Sequence, residues 1–82
     1  MRNSNEICDK IHAVYPDLGE CGIDVNVNFE EQNNAWAVHL RRGGRELKTY
    51  LEIDETDACI DKEKCIGLGL QIAQLRDNIA LL

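Results

Sequence analysis

Proline occurs once and glycine six times in 82 residues. So little of either, beside an apolar fraction of 44%, excludes a disordered or low-complexity chain. No apolar run approaches the roughly 18–20 residues that a membrane-spanning helix needs. The opening Met1-Arg2-Asn3-Ser4-Asn5-Glu6 has no apolar core of a signal peptide. The expectation is a cytoplasmic protein from which nothing was removed ahead of Met1. Basic residues are in deficit, nine Lys and Arg against fifteen Asp and Glu, for a net charge of -6. That balance repels a phosphate backbone and an anionic bilayer on average. It makes nucleic acid an unfavourable partner and removes the membrane from the expected ones. Cys8, Cys21, Cys59 and Cys65 include no pair at C-x-x-C spacing, the mark of a zinc knuckle or a redox dithiol.

What is present fits one small domain spanning 1–82. A chain this short buries only about 60–65% of the surface it exposes unfolded, so its core is thin. A second chain, a metal or disulfides could each reinforce it. The ordinary state of cysteine in a reducing compartment is a free thiol, here with at least two buried as small apolar side chains. Disulfides and a metal cluster are the alternatives.

Helical period opens the chain. Ile7, Ile11 and Val14 recur on one face of a helix over 4–15, with Ser4 as its N-cap, Glu6 in its first turn and Pro16 as its stop. From Ile23 the period changes to two. Ile23, Val25, Val27 and Phe29 alternate with Asp24, Asn26, Asn28 and Glu30, a strand with one dry and one wet face. Gln32-Asn33-Asn34 is turn chemistry. A second strand over 35–42 carries Trp36, Val38 and Leu40 inward. Gly43-Gly44 marks a two-residue hairpin. A third strand over 45–53 carries Leu47, Thr49, Leu51 and Ile53 inward. The stretch 54–61 reads as a turn with a helical piece. A long helix follows over 62–80, with Asp61 as N-cap; the alternation in 66–72 could be a strand, but good helix formers continue the helical period after it.

The expected fold class is therefore α+β in the order α-β-β-β-α, a three-stranded antiparallel meander with both helices on its apolar face. The other face holds Asp24, Asn26, Asn28, Ala37, His39, Arg41, Lys48, Tyr50 and Glu52. The last helix carries more apolar surface than one core requires. Cys65, Leu68, Ile72, Leu75, Ile79 and Leu82 form one stripe; Ile66, Leu70, Ala73 and Ala80 form a second. Together they span roughly 240°, against about 100° for a helix facing one core. Either the first helix covers the second stripe, or a homodimer or partner protein takes part of it. Leu81 and Leu82 add apolar surface at the terminus, where a chain ordinarily frays into water.

Candidates for chemistry are few. Cys8 and His12, four apart on one helix, have metal-ligand spacing, yet Cys8 also lies beside the apolar stripe, where a core cysteine belongs. His39 sits on the wet face near Arg41, Lys48, Tyr50 and Glu52, and a His near a carboxylate can do acid–base work. Cross-strand charge pairing explains the same residues. Gly67-x-Gly69 lacks the strand and third glycine of a dinucleotide site. Arg41-Arg42-Gly43-Gly44-Arg45 is a basic hairpin tip. No catalytic residue and no cofactor is assigned.

The element order resembles that of double-stranded RNA-binding domains. Such domains grip phosphates with lysines opening the last helix and reach the minor groove with helix one and the first strand–strand loop. Lys62 and Lys64 occupy the corresponding place, but Asp61 and Glu63 alternate with them, and Glu31-Gln32-Asn33-Asn34 lacks the Gly-Pro-x-His of that loop. The resemblance covers topology and not the binding residues. The expected role is a non-enzymatic protein-interaction module that meets a partner or itself. Its surfaces would be Leu81 and Leu82, the sheet face with His39, Arg41, Lys48 and Tyr50, or a sheet edge. The alternative is RNA binding through Arg41, Arg42, Arg45, Lys62 and Lys64.

Overall fold

A computed structural model of the chain describes residues 2–82. Helix α1 (Ser4–Val14) leads through a 3-10 turn (Pro16–Leu18) to β1 (Val25–Glu30), β2 (Ala35–Arg42) and β3 (Arg45–Glu52); α2 (Ile53–Lys62) and α3 (Ile66–Ala80) complete it. The sheet is antiparallel in the order β1-β2-β3. Its class and meander are those the sequence calls for. The order carries one more helix than expected, α-β-β-β-α-α, and so departs from the RNA-binding topology.

Pairing rows explain the two faces. Phe29, Trp36 and Leu51 form one row, Val27, Val38 and Thr49 the next, and Val25, Leu40 and Leu47 a third. Side chains alternate along a strand, so these rows share the inner face. Ile7 and Ile11 of α1, Cys59 of α2, and Leu68, Ile72, Leu75 and Ile79 of α3 join Trp36, Val38, Leu40 and Leu51 in one buried cluster. Helices α1 and α3 therefore lie on the same side of the sheet. Each fully buried Leu or Ile contributes about 1.5–3 kcal/mol. Phe29 meets Trp36 edge-on, with ring centroids 5.2 Å apart.

Four local expectations are corrected. Asn3, and not Ser4, caps α1: its side chain accepts the Glu6 N–H at 2.8 Å. Ile23 lies ahead of the strand in the turn that follows Gly22 (φ 89°) and is exposed. The expected helix over 62–80 is two helices. Residues 53–62 are fully helical, Glu63 takes the left-handed conformation (φ 56°), and α3 starts afresh at Ile66. The Lys64 N–H bonds the Ala58 carbonyl at 3.1 Å, closing α2, and Thr56, buried, donates its hydroxyl to the Glu52 carbonyl at 2.9 Å near its start. Finally, the cysteines are not free. Cys8 joins Cys21 and Cys59 joins Cys65, leaving no free thiol among the described residues. The fold creates both meetings: α1 packs against the start of β1, and the chain reverses between α2 and α3.

Ion pairs tie the helices from outside. Arg2 reaches Asp57 at 2.7 Å and also pairs with Asp61, both on α2, and with Glu6 at 3.5 Å. Hydrogen bonds to Asp57 and Asp61 hold its guanidinium even further above its ordinary range. Lys10 of α1 meets Glu63 in the α2–α3 turn at 2.8 Å.

Candidate functional site

Helix α3 presents its inner stripe, Leu68, Ile72, Leu75 and Ile79, to the sheet. Its other stripe stays largely open. Ile66 is 81% exposed and Leu70 60%, Ala80 is exposed, and Ala73 is half-buried. Helix α1 does not cover this surface. The segment following α1 reaches α3 through Tyr15, whose hydroxyl donates to the Gly69 carbonyl at 3.1 Å and whose ring lies 4.7 Å beneath the Arg76 guanidinium. A Cβ at Gly69 would make only an ordinary van der Waals contact with the Tyr15 hydroxyl, at 3.7 Å. Leu81 and Leu82 extend the open surface past the helix. Leu81 is 83% exposed, and the Leu81 and Leu82 N–H groups make turn bonds back to the Asn78 and Ile79 carbonyls. Single exposed apolar residues are ordinary on a small monomer, whereas a run of them along one helix face marks a surface fitted to meet another molecule.

The outer sheet face gathers most of the other named residues. His39 stands between Asn26 and Lys48, Arg41 opposite Glu46, and Tyr50 opposite Ala37. The His39 Nδ1 lies 3.8 Å from Glu46. Lys48 reaches Glu30 at 3.4 Å while its ammonium rests 5.1 Å above the Tyr50 ring. The Tyr50 hydroxyl donates to Glu30 at 3.1 Å and accepts from Asn33 at 3.3 Å. Partial burial opposes the charged form of Glu30. Hydrogen bonds from Asn33, Tyr50 and Lys48 outweigh it and hold the carboxyl below its usual range. Hydrogen bonding with Tyr50, then Glu30, raises Lys48. Glu30 and Asn33 therefore organise this face, although strand alternation alone does not single them out; the signal was the position of Glu30 just ahead of the Gln32-Asn33-Asn34 turn and of Asn33 within it. His39 faces Glu46, and Lys48 beside it is committed to Glu30 and Tyr50, as in solvated cross-strand pairing.

The remaining candidates separate. Cys8 spends its sulfur on Cys21, and His12 is exposed on α1. No group of three or more metal-ligating side chains comes together among the described residues. Lys62 closes α2 and Lys64 lies in the turn before α3, whereas Arg41, Arg42 and Arg45 belong to the β2–β3 hairpin, where Arg42 donates to the Asp17 carbonyl at 3.1 Å. A shallow cleft lined by Arg2, Glu6, Trp36, Ile53 and Asp57 contains the Arg2 ion pairs. No helix is long and apolar enough to cross a membrane among the described residues. Compared with known proteins, the chain matches no family model, no curated protein and no solved structure.

Proposed function

We propose that the chain is a non-enzymatic protein-interaction module and that the outward stripe of α3, continued by Leu81 and Leu82, is its docking surface. The observation that carries this reading is the exposure of Ile66, Leu70 and Leu81 on a helix whose opposite side is fully committed to the core. Covering such residues is worth about 25 cal/mol per Å² of apolar surface removed from water. A partner protein or a second copy gains that contribution; water does not. The charged groups nearest each other, Glu30 with Lys48 and Arg2 with Asp57, form structural pairs, and this supports a binding role over acid–base work. The two disulfides weigh towards an oxidising compartment over the cytoplasm.

The test compares the native chain with the double variant Ile66→Glu, Leu70→Glu. Solution mass across a concentration series and capture of partners on immobilised protein are both measured. The variant should lose association while keeping its urea midpoint. A chain that stays monomeric at high concentration, and whose captured proteins are all retained by the variant, overturns the reading. RNA binding through Arg41, Arg42, Arg45, Lys62 and Lys64 is the competing reading. Its test is a salt titration, in which counterion release would give a steep loss of affinity with salt.

A further inference from the structure

The two edges of the sheet are not alike. Which backbone groups point outward follows from one bond: the Arg41 N–H donates to the Asp24 carbonyl, so the odd residues of β2 face β1. The even residues of β2 then bond β3, through Arg45, Leu47, Thr49 and Leu51. That leaves the N–H and C=O groups of Glu46, Lys48 and Tyr50 pointing away from the sheet. On the other edge, the outward groups of Val25 are already used: its N–H bonds the Glu20 carbonyl and its carbonyl accepts from Gly22. Loop 20–22 thus shortens the β1 edge, while β3 keeps a longer open one.

Charged side chains usually guard an edge like this. Here they lean the other way. Lys48 stretches across the outer face to Glu30 and the Tyr50 ring, and Glu46 turns towards His39. The backbone edge is left bare.

We infer that β3 pairs antiparallel with β3 of a second copy about a two-fold axis at Leu47, joining two sheets into one of six strands. The inference rests on the reading of this chain as an interaction module and names its partner as itself. The register follows from charge. Centred on Leu47, the pairing sets Glu46 opposite Lys48 of the second copy, twice. Arg45, at the start of β3, then falls opposite Thr49 of the other copy, so no like charges meet along the pairing. Leu47 meets Leu47 on the inner face, as a close non-hydrogen-bonded pair. The other symmetric registers on these backbone groups are worse. Centring on Glu46 or Lys48 opposes like charges, centring on Thr49 sets Glu46 against Glu52, and centring on Tyr50 leaves Glu46 beyond the end of the partner's strand and unpaired.

Sedimentation equilibrium of the oxidised chain, over a wide concentration range, should show a monomer–dimer equilibrium. Lys48→Glu opposes Glu46 to a second glutamate at both symmetric positions and should weaken dimerisation roughly ten- to a hundredfold. The double charge swap Glu46→Lys, Lys48→Glu restores both pairs in this register and in no other, and should recover the dimer. Near-UV circular dichroism of Trp36 confirms that each variant folds. A chain that is monomeric at millimolar concentration overturns the inference, and so does a swap that fails to recover the dimer. A dimer insensitive to Lys48→Glu but abolished by Ile66→Glu, Leu70→Glu overturns β3 pairing while leaving the α3 surface standing.

Discussion

Reduction of both disulfides removes no side chain from the core, so it isolates what the cross-links contribute. Cys8–Cys21 closes a 13-residue separation and Cys59–Cys65 one of 6. Loop-closure entropy assigns these about 3 and about 2 kcal/mol respectively. Both figures are upper values, since α1 and α2 keep some local order in the unfolded chain. A domain of this size holds roughly 4–12 kcal/mol in total. Reduction should therefore remove a large part of the stability, and full reduction should bring the fold near its limit. The assay is urea denaturation followed by fluorescence of Trp36, the single tryptophan, which is buried against the core. With a slope of about 1 kcal/mol per molar urea, the reduced midpoint should fall by several molar. Paired substitutions to alanine divide the loss: removing Cys8 and Cys21 should cost more than removing Cys59 and Cys65. Oxidised and reduced proteins whose midpoints agree within about 0.3 M, with four thiols titrated in the reduced sample, would refute the reasoning.

Three further outcomes are expected. Gly67→Ala should stabilise by up to about 1 kcal/mol, because the nearest atoms a new Cβ meets belong to the flexible Glu55 side chain, its carboxyl closest; a thermal midpoint that drops instead shows that Glu55 cannot move. Thr56→Val should cost about 1 kcal/mol in chemical denaturation, because it deletes the hydroxyl that bonds the Glu52 carbonyl while keeping the shape. The Glu30 carboxyl titrates below its ordinary range, so its contribution is present above the unfolded value and is lost as pH falls through the folded one. Lys48, raised, contributes below the ordinary lysine range and loses that contribution as pH climbs through its folded value. Glu30→Gln should flatten the acid limb of the stability profile, and an unchanged limb removes the claim.

The meander was written plainly in the chain. Alternation from Val25 to Phe29, Gly43-Gly44 and the inward row of Leu47, Thr49 and Leu51 specify strands and register with little competition. The boundary of the last helix was not. Nothing in Asp61-Lys62-Glu63-Lys64 breaks a helix by propensity, and Glu63 takes a left-handed conformation that glycine or asparagine ordinarily occupies. Tertiary structure imposes the break, with Cys59 tied to Cys65 across it. Disulfide partners depend on three-dimensional approach, and spacing alone left four cysteines with three possible connectivities. The surplus apolar surface of α3 could be counted from the sequence, but its fate could not. Whether α1 reached Ile66 and Leu70 depended on where Tyr15 would land. The outer-face residues, Glu30 among them, were found by alternation, but the partners of Glu30 were not, because they come from a turn and from β3.

The bond between Cys8 and Cys21 has a reach beyond stability. Cys21 is the residue that bridges to Val25, so the cross-link clamps a short flap over one margin of the sheet. The backbone bonds of Glu20 and Gly22 to Val25 hold that flap from one side and the disulfide from the other, so the covalent link anchors the sheet's first margin to α1.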